Sequence, residues 1–520
     1  MGNAMHIAKV SARGGFNLFW GLIASNMISA AAVIIVARML SPEEYGLVKV
    51  ASTAPGLLVL FRDWGMSAAI IRYIAQHRSE NNSSGIKTTI LAGSSFLLAL
   101  GFALCLVCFF LSELLAVQVF KRADIVYLIR VASLTIFAGS LVSISEAVFI
   151  GFEAMNYRSF ILVSQALLKL LLSPLLILLG LGVIGPILGV VLSTLLAGLI
   201  GFTLLYLHLY KRLPGQIESL SQTGNSMLRY GIPLFISSIA GGLLTQFNNF
   251  LMAAYCSDQA IGNYSVALNF TVLISFFSQP IATVLFPAFS KLSSEKDKRE
   301  LAVVFRQSVR YATLLVVPVA AAIMVLSQQA VFTLFGSKYV DAPLYLSLLC
   351  FGSLYTALGS LSISSFINSR GKTEINMKLG LANTLVGFPL CLVLVSKFQI
   401  TGLICAGLIS TAPSVILGLW LVKKYWGVTI ELDASAKVIA ASAVAALATY
   451  IVVSILILPY WMLLFGGGLL FFIVYAAMTP IVGAVTKGDL KNLQEMFKEF
   501  DLLSSILSKP ISLMEKLTRK

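Results

Sequence analysis

Long apolar stretches alternate with short polar segments along almost the whole chain. A helix that crosses a membrane needs about 20 mostly apolar residues, and the sequence reaches that length repeatedly. The pattern predicts an all-α polytopic membrane protein with fourteen transmembrane helices, an even number that places both termini on one side. Their approximate ranges are 15–37, 45–64, 87–111, 125–150, 157–179, 183–208, 229–255, 261–289, 307–327, 342–368, 377–395, 400–422, 436–457 and 461–486.

Part of the sequence recurs at a nearly constant spacing. Ten residues between Gly15 and Ala51 reappear 216 positions later, and four between Gly185 and Thr194 reappear 217 positions later. This small change in spacing leaves room for few insertions, so the pattern indicates a duplicated block followed by an extra piece. Duplicated halves are typical of transporters that rock around a central site.

The repeat predicts two six-helix lobes and an addition. Each lobe has an even number of spans, so the lobes are parallel repeats related by an axis along the membrane normal. The predicted boundaries are 1–210 for the N-terminal lobe, 211–228 for a cytoplasmic inter-lobe linker, 229–424 for the C-terminal lobe and 425–486 for helices 13 and 14. Residues 487–520 carry apolar residues at helical spacing, which predicts an amphipathic helix on the cytoplasmic surface.

Composition and charge support a membrane protein. Only 11% of the residues are charged, against about 25% in a soluble domain. The net charge of +15 does not indicate a nucleic-acid partner, because the basic residues lie between apolar segments. With a cytoplasmic N-terminus, 28 of the 37 lysines and arginines lie on the cytoplasmic side, as the positive-inside rule requires. We expect a multi-pass protein of the cell membrane with both termini in the cytoplasm.

The sequence has no pattern typical of an enzyme, a metal site or a cofactor site. Cys105 and Cys108 form a CxxC without a second pair or a histidine cluster nearby. A phosphate-binding loop ending in GK[ST] is absent, and the external loops are too short for a glycosyltransferase site. We therefore predict neither catalysis nor a bound cofactor.

Ionisable residues inside the predicted helices are candidates for substrate binding, because each costs several kcal/mol without water or a partner. Lys169 lies in the middle of helix 5, and we expect it to face a hydrated cavity and meet an anionic ligand. The alternative is that Lys169 pairs with Glu146 or with a carbonyl. If Glu146 does not pair with Lys169, it is a candidate to accept a proton. Arg62 and Asp63, at the cytoplasmic end of helix 2, form a local charge pair, or Arg62 points into a cytoplasmic mouth.

Three more arginines start helices 7 and 9 on the cytoplasmic side, namely Arg229, Arg306 and Arg310. Such residues commonly only set the topology. Together with Arg62 they could instead form a positive vestibule for a head group that carries phosphate.

Predicted helices 1 and 7 contain amide side chains rather than buried acids. These amides include Asn26, Gln246, Asn248 and Asn249. They either line the cleft between the lobes or join helices by hydrogen bonds. Two prolines, Pro174 in helix 5 and Pro389 in helix 11, lie at nearly matching places in the two halves. Each removes a backbone hydrogen bond and permits a bend, so they act as hinges or serve packing.

Several segments resemble one branch of a transporter superfamily. Residues 37–46 are similar to the "aR-x-L-s-p-e-e-y-G" that the polysaccharide-transporter branch of the MOP (multidrug/oligosaccharidyl-lipid/polysaccharide) exporters carries between helices 1 and 2. Residues 63–73 resemble its "d-l-G-l-s-t-a-i-v-r-y". In the second half, 261–264, 279–280 and 287–291 resemble its counterpart segments. The resemblance extends over residues 10 to 486, including the division into six, six and two helices.

The resemblance implies a flippase that moves a polyprenyl-(pyro)phosphate-linked oligosaccharide from the cytoplasmic to the external leaflet. Its family site is a cationic cavity between two MATE-like lobes, which Arg62 and Lys169 fit best here. The implied partners are the lipid-linked oligosaccharide, membrane lipid and, as candidates, the enzymes of glycan assembly. A monomer suits a chain that has two lobes of its own.

Three other functions compete with this one. A cation-coupled multidrug exporter of the same superfamily is disfavoured because helices 1 and 7 lack a buried acid and Lys169 repels cationic drugs. A membrane glycan polymerase or ligase is disfavoured by the duplication and by the short external loops. A scaffold without transport is supported only by the amphipathic tail.

Overall fold

The computed structural model describes residues 2–291, 298–485 and 488. It is an all-α fold with two compact units, Met1–Gly262 and Asn263–Lys520. The predicted amphipathic tail, 487–520, lies outside the described residues apart from Gly488. The predicted lobe boundaries at 210 and 229 stay predictions.

Helices follow one another with short turns between them. The first unit contains α1 (Gly2–Met39), α2 (Pro42–Ala51), α3 (Thr53–Val59), α4 (Met66–Ser79), α5 (Ser83–Glu113), α6 (Val126–Gly151), α7 (Met155–Leu176), α8 (Ile184–His208), α9 (Leu220–Tyr255) and the start of α10 (Asp258–Lys291). The second contains the rest of α10, then α11 (Lys298–Val325), α12 (Ser327–Leu334), α13 (Ala342–Phe351), α14 (Ser360–Ser369), α15 (Thr373–Trp426), α16 (Leu432–Ile455) and α17 (Tyr460–Val482).

The core of the first unit lies among α4, α5, α6 and α8. Ile70, Ile144 and Phe149 are fully buried there, and Met227 of α9 joins them. α9 also contacts α3, α4 and α5. The helix that opens the second copy of the repeat therefore packs on helices of the first.

One core of the second unit lies among α10, α11, α14 and α15, where Phe289, Phe305 and Phe366 pack against one another, Phe366 edge-to-face with the other two. The two helices without a counterpart in the repeat, α16 and α17, form a hairpin. Small residues allow it to lie close to α11, as where Phe471 of α17 packs among alanines of α11 and α16. The α16–α17 hairpin, which follows the duplicated block, is therefore packed into the second unit.

The number of spans differs from the prediction. Nine helices in the described part of the chain are long and apolar enough to cross a membrane, and a bent pair of helices would make ten. The count of fourteen is not confirmed. Predicted helix 2 breaks at Ser52 because Pro55 has no N–H to donate to the carbonyl of Ala51. Predicted helices 11 and 12 run together as the 54 residues of α15.

The backbone supports the repeat at an unusual turn. Between α7 and α8, Gly182 has φ 50° and ψ −127°. At the position 217 residues later, inside α15, Gln399 has φ 50° and ψ −131°. A side chain on Gly185 would lie 2.9 Å from the backbone nitrogen of Ile177, and one on Gly402 would strike the carbonyl of Leu394. The two copies thus make the same tight turn against the preceding helix.

We predict that Gly402→Ala destabilises the protein by about 1–3 kcal/mol, because backbone, which cannot move aside as a side chain can, occupies the space of the new methyl group. Thermal unfolding in detergent measures the effect. Gly407→Ala on the same helix meets open space and is the matched control, with a neutral or slightly stabilising result. Equal effects of the two substitutions would contradict the proposed packing.

Candidate functional site

Two lysines of the first unit lie near one another without an acidic partner. Lys169 is half-buried on α7, which packs between α1 and α8. Among the described residues no ion pair or side-chain hydrogen bond holds either Lys169 or Lys49, an exposed residue of α2. The charge of Lys169 repels the ammonium group of Lys49. An anion beside the two lysines would relieve this repulsion.

Arg62 follows α3 and lies against one face of α6. Its guanidinium donates hydrogen bonds to the Ser143 hydroxyl at 2.9 Å and to the Ile136 carbonyl at 3.5 Å. Gly139 lies between these two residues on the same face of α6, and a side chain there would occupy the place of the guanidinium. Neutral groups thus hydrogen-bond to Arg62, and the guanidinium also feels the charge of the neighbouring Asp63.

The acidic candidates form no ion pair with these cations in the described part of the chain. Asp63 accepts hydrogen bonds from the backbone N–H and the hydroxyl of Ser67, so it stabilises the start of α4, and it makes no ion pair with Arg62 in the described chain. Glu146 is half-buried on α6 and feels the charge of Arg158. No ion pair joins Glu146 and Lys169 in the described part of the structure.

The three further arginines have different environments. Arg229 is exposed on α9 in the first unit. Arg306, on α11, donates to the carbonyl of Thr429 and lies 3.6 Å from Glu431. Arg310, one turn later, donates to the carbonyl of Ala484 at 2.9 Å. The last two arginines hold the segment before α16 and the end of α17, which is a structural role within the second unit.

The amides of α9 pack on the helices of the first unit. Gln246 accepts a hydrogen bond from Asn249 and faces Gly56 of α3. The side-chain oxygen of Asn248 is buried and lacks a hydrogen-bond partner in the described structure. Asn26 is exposed on α1.

Both prolines lie inside helices, shortly before the paired turns. After Pro174, α7 changes within one turn into the π-helical segment Ile177–Leu181. Pro389 precedes the break in α15 at Gln399 by ten residues. A hinge role for the two prolines stays a prediction.

The starts of α2 and α10, which are copies of each other, meet in a reciprocal contact that we call the α2–α10 crossing. A side chain on Gly46 would strike the carbonyl of Asp258, and one on Gly262 would strike the carbonyl of Pro42. These four residues are equivalent in pairs at the spacing of 216. The crossing is therefore locally two-fold symmetric, and only glycine permits so close an approach.

An ion pair ties the α10 side of the crossing to the turn before α6. Arg122, in the turn before α6, binds both carboxylate oxygens of Asp258 at 2.5 and 2.7 Å, and it also contacts Asp124. The hydrogen bond to Asp258 raises the pKa of the Arg122 guanidinium, against the opposing effect of burial. Sequence reasoning missed this pair and Lys49, because their partners lie far away along the chain. The recurrence of Gly46 at Gly262 was the one available signal.

Two family models match the sequence. The model of a family described as "Polysaccharide biosynthesis protein" matches residues 11–293, and the model of the lipid II flippase MurJ matches residues 227–476. Among curated proteins, the chain is 25% identical over 426 residues to the lipopolysaccharide biosynthesis protein WzxC of Escherichia coli K12. That alignment covers 78% of this chain and 77% of WzxC.

Solved structures show the same fold. The lipid II flippase MurJ, in an inward closed conformation, matches with a TM-score of 0.71 and 16% identity over 89% of this chain and 98% of its own. An inward-facing multidrug resistance MATE transporter of the MOP superfamily matches with a TM-score of 0.64 and 17% identity, over 78% and 94% of the two chains. The fold is therefore MurJ- and MATE-like.

We predict that Arg122 and Asp258 are coupled by about 1.5–3 kcal/mol, because the bond is charge-assisted, bidentate and only about one-fifth exposed on each side. A double-mutant cycle of Arg122→Gln and Asp258→Asn, followed by chemical unfolding, measures this. Arg306 and Glu431, 3.6 Å apart and about half exposed, are the control pair, with a coupling below about 1 kcal/mol. A coupling no larger than that of the control would contradict the assignment.

Proposed function

The chain belongs to the polysaccharide biosynthesis protein family, and on that premise we propose that it is a flippase for a polyprenyl-(pyro)phosphate-linked oligosaccharide. It moves this lipid between leaflets by alternating access, for the assembly of surface polysaccharide or glycoprotein. The MurJ-like fold and the similarity to WzxC support this function. The observation that carries it in this chain is the pair Lys49 and Lys169, cations of a membrane protein without an acidic partner in the described structure.

The chemistry of the substrate explains this arrangement. A glycan cannot cross hydrocarbon unaided, because each polar group that loses its hydrogen bonds costs several kcal/mol. The prenyl chain can stay in the lipid while the sugars pass through a hydrated space. Lys49 and Lys169 then bind the phosphate, and the negative charge of the phosphate relieves the repulsion between the lysines. Arg62 is a further cation that the head group meets on its path. The same positive charge disfavours cationic drugs as substrates.

The orientation follows from the distribution of charge. The polypeptide is a multi-pass protein of the cell membrane. Both termini lie in the cytoplasm, because this orientation places most lysines and arginines on the cytoplasmic side. Glycan-assembly enzymes supply its substrate and take up its product. One polypeptide with two copies of the repeat suffices as the transporting unit.

In this orientation the α2–α10 crossing lies at the external end of its helices. Gly46 and Gly262 bring the two helix starts together, and Arg122 with Asp258 ties the start of α10 to the turn before α6. The crossing therefore closes the path to the outside, and it has to separate when the substrate leaves. Opening needs no covalent change, only the loss of one ion pair and of close backbone packing.

We expect Lys169→Gln to lower the initial rate of flipping roughly tenfold or more, because a charge-assisted contact to phosphate contributes about 1.5–3 kcal/mol. The measurement is a leaflet assay with labelled lipid-linked oligosaccharide in vesicles that contain the purified protein. Lys169→Arg retains the charge and most of the rate. Lys397→Gln, which neutralises an exposed lysine of α15, is the matched control. Unchanged flipping by folded Lys169→Gln would exclude this role.

A second experiment tests whether the crossing closes the external path. Its probe is the reactivity of the buried Cys256, two residues before Asp258. With the other five cysteines replaced, we expect Cys256 to react slowly with a membrane-impermeant maleimide added outside. Gly46→Leu pushes the crossing apart and raises the labelling rate roughly tenfold, because the new side chain meets backbone.

Gly380→Leu, at a glycine of α15 with open space around it, is the control for the size of the side chain. It leaves the labelling of Cys256 unchanged. Equal labelling of the Gly46→Leu variant and the unsubstituted protein would show that the crossing does not close the external path.

A further inference from the structure

Glu146 and Arg158 are an acid and a base that lie near each other without a bond between them. Glu146 is half-buried towards the end of α6, and Arg158 is half-buried at the start of α7. Glu146 feels the charge of Arg158, yet neither side chain has an ion pair or a hydrogen bond in the described chain. Arg122 and Asp258, in contrast, bond directly at 2.7 Å. Glu146 and Arg158 thus lack the contact of a pair that only stabilises the fold.

The charged ends of both side chains are open to a ligand. The Nε of Arg158 is enclosed, whereas its two terminal nitrogens and the carboxylate oxygens of Glu146 are accessible. None of these accessible atoms has a hydrogen-bond partner in the described structure. The carboxylate can accept hydrogen bonds and the guanidinium can donate them, so one polar ligand placed between the two can bind both.

These two residues share helix faces with the cations of the candidate site. Glu146 lies one turn of α6 after Ser143, whose hydroxyl accepts a hydrogen bond from Arg62. Three turns of α7 separate Arg158 from Lys169, so both side chains start from one face of this helix. At the helical rise of about 1.5 Å per residue, the two positions lie roughly 16 Å apart. A phosphate bound at Lys169 therefore leaves the place between Glu146 and Arg158 free.

The chemistry of this place suits an uncharged sugar. The charges of Glu146 and Arg158 are opposite, so a ligand between them needs no net charge of its own, whereas an anion would meet the carboxylate and a cation the guanidinium. A sugar hydroxyl both donates and accepts, so neighbouring hydroxyls can donate to Glu146 and accept from Arg158. Such bonds are charge-assisted, and they are roughly twice as strong as bonds between neutral groups.

We propose that Glu146 and Arg158 bind hydroxyl groups of the glycan, at a distance from the phosphate of the same lipid. This inference rests on the proposed function, in which Lys49 and Lys169 bind the phosphate. In the orientation given above, α7 begins at the cytoplasmic side, so the glycan extends from the phosphate towards the cytoplasm. The lysines then recognise any lipid phosphate, and Glu146 with Arg158 adds affinity only when a glycan is attached.

The experiment is a titration of the purified full-length protein, followed by native mass spectrometry. One probe is undecaprenyl pyrophosphate, which has no sugar, and the other is the same lipid with a linear chain of three glucoses. We expect the glucosylated lipid to bind more tightly. Glu146→Gln and Arg158→Gln each weaken its binding roughly three- to tenfold, because a hydrogen bond to a charged group is replaced by one to a neutral amide.

The sugar-free lipid separates contact with the glycan from a general effect of charge. Its binding changes less than twofold in both variants, because its phosphates do not reach the two side chains. A long-range effect on the pyrophosphate would instead have opposite signs, since Glu146→Gln removes a negative charge and Arg158→Gln a positive one. A loss of the same sign in both variants, confined to the glucosylated lipid, is therefore specific to the proposed contact.

Glu153→Gln, at an exposed glutamate in the turn between α6 and α7, is the matched control and leaves both affinities unchanged. If one of the two test variants does not fold, the other decides alone. Lys169→Gln tests the proposed function separately, since it weakens both lipids equally if this lysine binds phosphate. The present inference is overturned if the glucosylated lipid binds no better than the sugar-free one, or if the folded variants lose as much affinity for one lipid as for the other.

Discussion

The close approach of backbone to backbone at glycine is the constraint on which the arrangement of these helices depends. Gly185 and Gly402 let two equivalent turns fold back on the preceding helix, and Gly46 and Gly262 let α2 and α10 meet. At each place a methyl group would strike main-chain atoms, which move only with the whole helix. The ion pair of Arg122 and Asp258 lies beside this approach, since a side chain on Gly46 would strike the carbonyl of the same Asp258.

The contacts of each cation show whether it stabilises the fold or is suited to bind a ligand. Arg306 and Arg310 bind carbonyls at the ends of other helices and thereby stabilise the second unit. Arg62 is held by neutral groups, and Lys49 and Lys169 repel each other. An unpaired charge in a membrane protein is costly. The cost is consistent with a site that is completed by an anionic substrate.

The sequence contained the helical architecture and the duplication, because both depend on local periodicity and on spacing along one chain. The number of spans was harder to predict, because Pro55 divides one predicted helix and α15 joins two predicted helices into one. The partners of side chains could not be predicted. Glu146 lies in the field of Arg158 rather than in a pair with Lys169, and Arg122 meets a residue 136 positions away. Such contacts depend on how the helices pack, which hydrophobic periodicity does not determine.

The paired turns also record how the two copies have diverged. The conformation shared by Gly182 and Gln399, with φ near 50°, suits glycine and strains any residue that has a Cβ atom. Glycine in one copy and glutamine in the other adopt the same conformation, and the glutamine does so at a cost of about 1–3 kcal/mol. The two copies thus keep the same turn geometry although the residue at its centre differs.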